Sequence, residues 1–124
     1  MSKINNDLLY SKTHEWVKVE GNVAFVGVSD FAQASLGSVV YVEGFLDSHV
    51  SQGEECGAIE SVKAASDIMA PVSGTVVEVN DDVVNSPELI NEDPYKNWIL
   101  KIEMDDKAEL DSLVSPKDYE GLCK

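Results

Sequence analysis

The sequence predicts a mainly β fold with short helices, a pseudo-two-fold internal repeat and a C-terminal helix. Three observations carry that prediction. Short β-branched and apolar runs separated by turn residues recur between about residue 10 and residue 104. The chain also matches itself at a single offset: Ser29-Asp30 with Ser66-Asp67, Gly37 with Gly74, and Val39-Val40-x-Val42 with Val76-Val77-x-Val79, each pair 37 residues apart. An ungapped repeat of this size suggests two similar β units packed about a pseudo-two-fold axis. After Met104 the pattern changes to capping residues followed by helix formers.

The elements follow in order. Trp16-Val17-Lys18-Val19-Glu20 and Val23-Ala24-Phe25-Val26-Gly27-Val28 flank Gly21-Asn22, a pair suited to the positive φ of a tight hairpin. Asp30 is placed to cap a helix over Phe31 to Leu36, with Gln33 completing a capping box and Gly37 as a left-handed stop. In the second copy of the repeat, Pro71 lacks an amide and disfavours helix at Ala70, so Asp67 to Ala70 stays extended. That copy reads as strand, turn at Lys63 to Ala65, and strand. Ser86-Pro87 predicts a cap and first-turn proline for a helix over Glu88 to Asn91. In Trp98-Ile99-Leu100-Lys101-Ile102-Glu103-Met104, alternation puts Trp98, Leu100, Ile102 and Met104 on one face of a half-buried strand. Asp105 or Asp106 caps a helix over Ala108 to Val114, and Ser115-Pro116 opens a last turn ending near Gly121.

With 124 residues, 44% of them hydrophobic, the chain suits one compact domain over 1–124, its core at about 10–104 and a C-terminal helical segment at about 105–122. Nine Lys and Arg stand against 23 Asp and Glu, a formal charge of −14. Nucleic acid and anionic membranes should repel such a surface, which favours solubility and can steer encounters with basic partners. Most individual carboxylates need serve only solubility. Cys56 and Cys123 have neither Cys-x-x-Cys spacing nor a histidine pair nearby, so two free thiols in a reducing compartment are expected, with Cys56 as core filler. Met1 to Asp7 carry no apolar signal region, and no run approaches a membrane span. His14 has no second histidine four residues on, and His49 has no partner pattern, so neither marks a zinc site or a catalytic base. Trp16 and Trp98 suit core or rim packing.

Lys63 stands apart in this acidic chain. It follows the apolar run ending at Val62 and precedes Ala64-Ala65, which offer neither an adjacent carboxylate nor bulk to hide it. A lysine so placed is open to acylation by another enzyme, although a solvated turn lysine would read the same way. The wider frame narrows the choice. From Glu60-Ser61-Val62-Lys63-Ala64 through Ser66-Asp67 to Ala70-Pro71-Val72-Ser73-Gly74-Thr75-Val76 the chain resembles the lipoyl-attachment region of the glycine cleavage system H protein family. The resemblance extends to Tyr10 and Thr13-His14-Glu15-Trp16-Val17, to Val28-Ser29-Asp30-Phe31-Ala32-Gln33, to Leu36-Gly37-Ser38-Val39-Val40-Tyr41-Val42-Glu43, and to Asn91-Glu92-Asp93-Pro94-Tyr95. Ordered motifs over nearly the whole chain are far more specific than one pattern.

The resemblance implies a lipoyl-domain-like flattened β-barrel/sandwich hybrid. It implies lipoic acid amide-linked to Lys63 and a carrier rather than an enzyme, moving the aminomethyl group of glycine. Implied partners are a pyridoxal-phosphate glycine decarboxylase (P protein), a tetrahydrofolate-dependent aminomethyltransferase (T protein), a dihydrolipoyl dehydrogenase (L protein) and lipoate-attaching enzymes. A monomer in the bacterial cytoplasm is expected, or in the mitochondrial matrix if a transit peptide has been removed. Glu15 and Asp67, with Thr13, match family positions of a cleft that shelters the loaded arm. A solvated strand end for Glu15 and a turn carboxylate bonding backbone amides for Asp67 stay open beside that role.

Two rivals share the hairpin. A biotinyl domain usually flanks its lysine with methionines, whereas Lys63 has Val62 and Ala64. A lipoate relay would pass the group to 2-oxoacid dehydrogenase subunits without glycine chemistry. The chain departs from the family at Glu43-Gly44-Phe45-Leu46-Asp47-Ser48, which lacks a proline-containing loop, and at Tyr95-Lys96-Asn97-Trp98, one residue short and without glycine.

Overall fold

The computed structural model describes residues 3–123; Met1 and Ser2, which begin the N-terminal stretch read above, and Lys124 lie outside them. In chain order the strands and helices are β1 (Leu9–Tyr10), β2 (Glu15–Glu20), β3 (Val23–Val28), α1 (Asp30–Leu36), β4 (Val39–Gly44), β5 (His49–Val50), β6 (Glu55–Ser61), β7 (Ala65–Met69), β8 (Gly74–Val79), α2 (Asp81–Asn85), α3 (Leu89–Glu92), β9 (Leu100–Met104), a 3-10 helix (Lys107–Ser112) and α4 (Pro116–Leu122). A six-stranded sheet, β1-β2-β3-β9-β8-β5, is paired with a three-stranded sheet, β4-β6-β7. Inward side chains of both, among them Val26, Val76 and Ile102 from the first and Val42, Cys56, Ile59 and Ile68 from the second, share one buried core. The sandwich half of the expected hybrid describes this architecture; the two sheets do not close into a barrel.

The β2–β3 hairpin has the expected ends, with Glu20 opposite Val23. Of the turn pair, only Gly21 has positive φ, at 62°, which fits a turn with glycine at its first central position.

The internal repeat has a structural counterpart. Strands β4 and β8 occupy equivalent places in the two copies and lie in opposite sheets, as a two-fold relation requires. Each ladder is irregular at the same point, between Val39 and Tyr41 in one and between Val76 and Glu78 in the other. The extra residues, Val40 and Val77, are both exposed. A bulge bends the strand and raises its twist, so both copies curve over the shared core in the same way.

Several ends differ from the sequence expectation, each for a local reason. The cap of α1 is Ser29, in extended conformation with its hydroxyl accepting from Ala32 N–H; Asp30 is the first helical residue and accepts from the Gln33 side chain at 2.8 Å. Gly37 ends that helix at φ 80°, its N–H donating to the Gln33 carbonyl. Ser86 does not cap a helix: it terminates α2, a helix the pattern did not reveal, which Asn80 caps by accepting from Asp82 N–H. The helix beyond Pro87 starts later than expected, at Leu89, and has no side-chain cap.

Trp98 lies before β9 rather than on its inner face; Ile99 takes the buried place, and Trp98 meets Phe25 edge-on at 5.5 Å between centroids. The segment after Asp106 is a 3-10 helix ending at Ser112, not an α-helix to Val114. Val114 is drawn out of it because it exchanges two backbone hydrogen bonds with Tyr10, at 2.9 and 2.7 Å. The last helix forms as expected from Ser115, and its Tyr119 is buried, stacked on Tyr10 at 4.2 Å. In the first departing loop, Asp47 adopts φ 67° and donates its N–H to the Val76 carbonyl at 2.8 Å. In the second, the Asp93 carboxylate accepts from Tyr95 and Lys96 N–H, each at 3.1 Å. Among the described residues no helix is long and apolar enough to cross a membrane.

Candidate functional site

Strands β6 and β7 form a hairpin whose last ladder pair is Glu60 with Ala65. Ser61 closes it. Its N–H donates to the Ala64 carbonyl at 2.7 Å, and its hydroxyl oxygen accepts from the N–H groups of Lys63 and Ala64 at 3.3 and 3.1 Å. One buried hydroxyl therefore orders the whole turn. The tip is also tied sideways, since Val62 N–H donates to the Ser38 carbonyl at 3.0 Å. Lys63 sits on this rigid post, exposed. Among the described residues no carboxylate forms an ion pair with it. Its stem lies beside Gly37, where an added Cβ would stand 3.6 Å from Lys63 Cε.

Beside the hairpin lies a cleft of about 230 Å³ between β2, α1 and β7, and it brings Thr13, Glu15 and Asp67 together. Val28, Phe31, Leu36 and Ile59 give it apolar walls. Glu15 begins β2 and is only 3% exposed, so it is not a solvated strand end. Its Oε1 accepts from the Ser11 hydroxyl at 2.7 Å and from the Thr13 hydroxyl, and its Oε2 accepts from Met69 N–H at 3.2 Å. Burial pushes the Glu15 carboxyl above the usual carboxylate range, and these three donors act against that push. Asp67 lies in β7 opposite Ala58, its side chain exposed to the cleft. Among the described residues no backbone amide donates to its carboxylate, so it is not a turn carboxylate either.

His14 lines the same cleft, and sequence reasoning gave it no role. It adopts φ 74°, lies 4.7 Å from the Phe31 ring, and meets the Tyr119 hydroxyl at Nδ1 at 2.7 Å; that hydroxyl meets Ser29 Oγ at 2.5 Å. Burial holds the imidazole below its ordinary pKa. This chain links the C-terminal helix to the cap of α1, and so to the cleft wall. Ser11 was missed too, since a serine four residues before a strand glutamate carries no periodic signal. Cys56 is buried as expected, and burial, with the Glu15 charge, pushes its thiol up to about 12.

The family model described as Glycine cleavage H-protein matches residues 8–124. A glycine cleavage system H protein of Carboxydothermus hydrogenoformans is 55% identical over 126 residues, covering 100% of this chain and 97% of the relative. One from Alkaliphilus oremlandii is 52% identical, covering 94% and 93%. Among solved structures, a glycine cleavage system H protein from Mycobacterium marinum superposes with a TM-score of 0.84 at 34% identity, covering 95% of this chain and 97% of that one.

Proposed function

Because the chain belongs to the glycine cleavage H-protein family, the lipoyl carriers of the glycine cleavage system, we propose that Lys63 holds lipoic acid in amide linkage. The observation that carries this reading is an exposed lysine on a post fixed by Ser61, beside a cleft whose carboxylates are Glu15 and Asp67. When bound, lipoate supplies a dithiolane that takes up the aminomethyl group of glycine and gives it up again as a one-carbon unit and ammonia. The protein's own residues supply attachment, orientation and shielding. The Ser61 hydroxyl and the tie to Ser38 keep the base of the arm in one place, so its reach is set by the arm alone. Tethering then raises the effective concentration of the reactive end at whichever partner is docked.

The cleft suits a cationic end on a hydrocarbon stem. Val28, Phe31, Leu36 and Ile59 exclude water from the stem, and Glu15 and Asp67 hold an ammonium group. A relay that only passed lipoate on would have no use for such carboxylates, which favours the shuttle reading. In that reading the carrier acts as a cytoplasmic monomer and visits in turn a pyridoxal-phosphate glycine decarboxylase, a tetrahydrofolate-dependent aminomethyltransferase and a dihydrolipoyl dehydrogenase. It is not itself the catalyst.

Intact mass of the chain from a lipoate-competent host, with the modified peptide mapped, tests attachment. One lipoyl group on Lys63 is expected. A biotin mass, or an unmodified chain, would overturn the assignment. Replacing Glu15 with Gln, or Asp67 with Ala, should leave that mass unchanged and shorten the life of the loaded carrier roughly tenfold, the worth of one charge-assisted hydrogen bond. Decay is followed by quenched mass spectrometry, and an unchanged lifetime for both variants sinks the sheltering role.

A further inference from the structure

We propose that Ser11 is a positioning residue for the sheltering carboxylate, holding Glu15 Oε1 as an anchor so that Oε2 is the oxygen that receives a cation in the cleft. The inference rests on the sheltering role given to Glu15 above. Ser11 bonds Glu15 twice through one atom: its Oγ accepts from Glu15 N–H at 3.0 Å and donates to Oε1 at 2.7 Å. Bonds to the backbone and the carboxylate of the same residue fix the side chain against rotation. Ser11 is itself held, because its N–H donates to the Glu15 carbonyl at 2.9 Å and its carbonyl accepts from His14 N–H at 3.1 Å.

The two oxygens are consequently unequal. A carboxylate oxygen offers about two lone-pair sites. Oε1 fills both with Ser11 and Thr13, whereas Oε2 accepts only from Met69 N–H and keeps one free. The charged and titratable groups facing Glu15 are His14 next to it, Asp67 of β7 across the cleft, and Cys56 of β6 behind it; Lys12 lies on the preceding loop with its side chain exposed. Among the described residues none of them pairs with Glu15. The charged form is therefore favoured by hydrogen bonds rather than by a counter-charge, and Ser11 supplies one of three.

Ser11 also faces away from the arm. It lines a second cleft of about 240 Å³ with Gln52, Met69, Pro71 and Leu113, and is no part of the wall of the first. Removing its hydroxyl leaves the shape of the sheltering cleft intact and reaches the arm through Glu15 and through the Thr13 hydroxyl, which lies 3.2 Å from Ser11 Oγ and itself bonds Glu15 Oε1.

The test uses the full chain as wild type, Ser11→Ala, Ser11→Thr and Glu15→Gln. Carbon-detected titration of the Glu15 carboxyl, in chain without lipoate, should move its midpoint up by about one pH unit in Ser11→Ala and return it in Ser11→Thr. The loaded, lipoylated Ser11→Ala chain should decay three- to tenfold faster. Its protection should fail at higher pH than in wild type, because a raised carboxyl loses its anion earlier as the solution is acidified. An unmoved carboxyl midpoint in Ser11→Ala overturns the inference, including the case in which only the melting temperature falls. If the midpoint moves but Glu15→Gln leaves the lifetime unchanged, the positioning of Glu15 stands and the sheltering role falls.

Discussion

Lys63→Arg should abolish acylation of the chain and bring glycine-dependent carbon dioxide release, assayed with the partner enzymes, to the level without carrier. Arginine keeps the positive charge and most of the stem, but its guanidinium is not deprotonated in proteins, so it offers no amine to form the amide. The fold should not notice, because Lys63 is exposed and among the described residues forms no ion pair, while the turn is held by Ser61 and Ser38. A surface change of this kind alters stability by at most about 0.5 kcal/mol. Two measurements separate the outcomes: intact mass and thermal midpoint. A lipoyl mass surviving on the variant would place the attachment site elsewhere, and a large loss of stability would make the activity result uninformative about Lys63.

Gly74→Ala should be the most damaging single methyl group in the chain. Gly74 opens β8 where it crosses β9, and a Cβ there would stand 2.0 Å from the Glu103 carbonyl oxygen and 2.7 Å from Ile102 Cγ2. The first contact is with the backbone of a paired strand, so no side chain can swing aside. Relief requires β8 and β9 to separate at the end of their ladder, where Gly74 pairs with Met104. Overpacking of this severity costs about 3 kcal/mol or more, which corresponds to a fall of roughly 10 °C in the melting temperature. Gly37→Ala, the equivalent change in the other repeat copy, should be milder. There the demand is a φ of 80° at a helix end, with only the Lys63 stem nearby. Melting curves of the two variants compare them directly; equal losses would show that the close approach at Gly74 is not what requires glycine.

Those two glycines illustrate what the sequence could and could not convey. The repeat aligned them as equivalent, and both have positive φ, yet only Gly74 is also pressed by the backbone of a neighbouring strand, a demand that is not local. The same division runs through the fold. The lysine hairpin was legible because Pro71 and the small residues after Lys63 act within a few positions. The end of the 3-10 helix was not, because Val114 is claimed by Tyr10 from the other end of the chain. The small helix α2 was hidden because Asn80 and two aspartates read as a loop.

In the site, Thr13, Glu15 and Asp67 were named from motifs, but their convergence depends on the packing of the two sheets. The burial of Glu15 was invisible locally, since the amide that meets its Oε2 belongs to Met69, 54 residues away. Ser11 escaped for the complementary reason, that its spacing matches no regular element.

Cys56 has a bearing on the arm that its role as core filler does not convey. In the reading proposed for Lys63, a reactive thiol beside the parked arm would be open to exchange with its cyclic disulfide, which would bond the arm to the protein. Exchange requires thiolate. Burial pushes the Cys56 thiol up to about 12, which disfavours the thiolate, and its side chain is sealed in the core. The burial that packs β6 against the opposite sheet thus also keeps the one buried thiol among the described residues redox-silent.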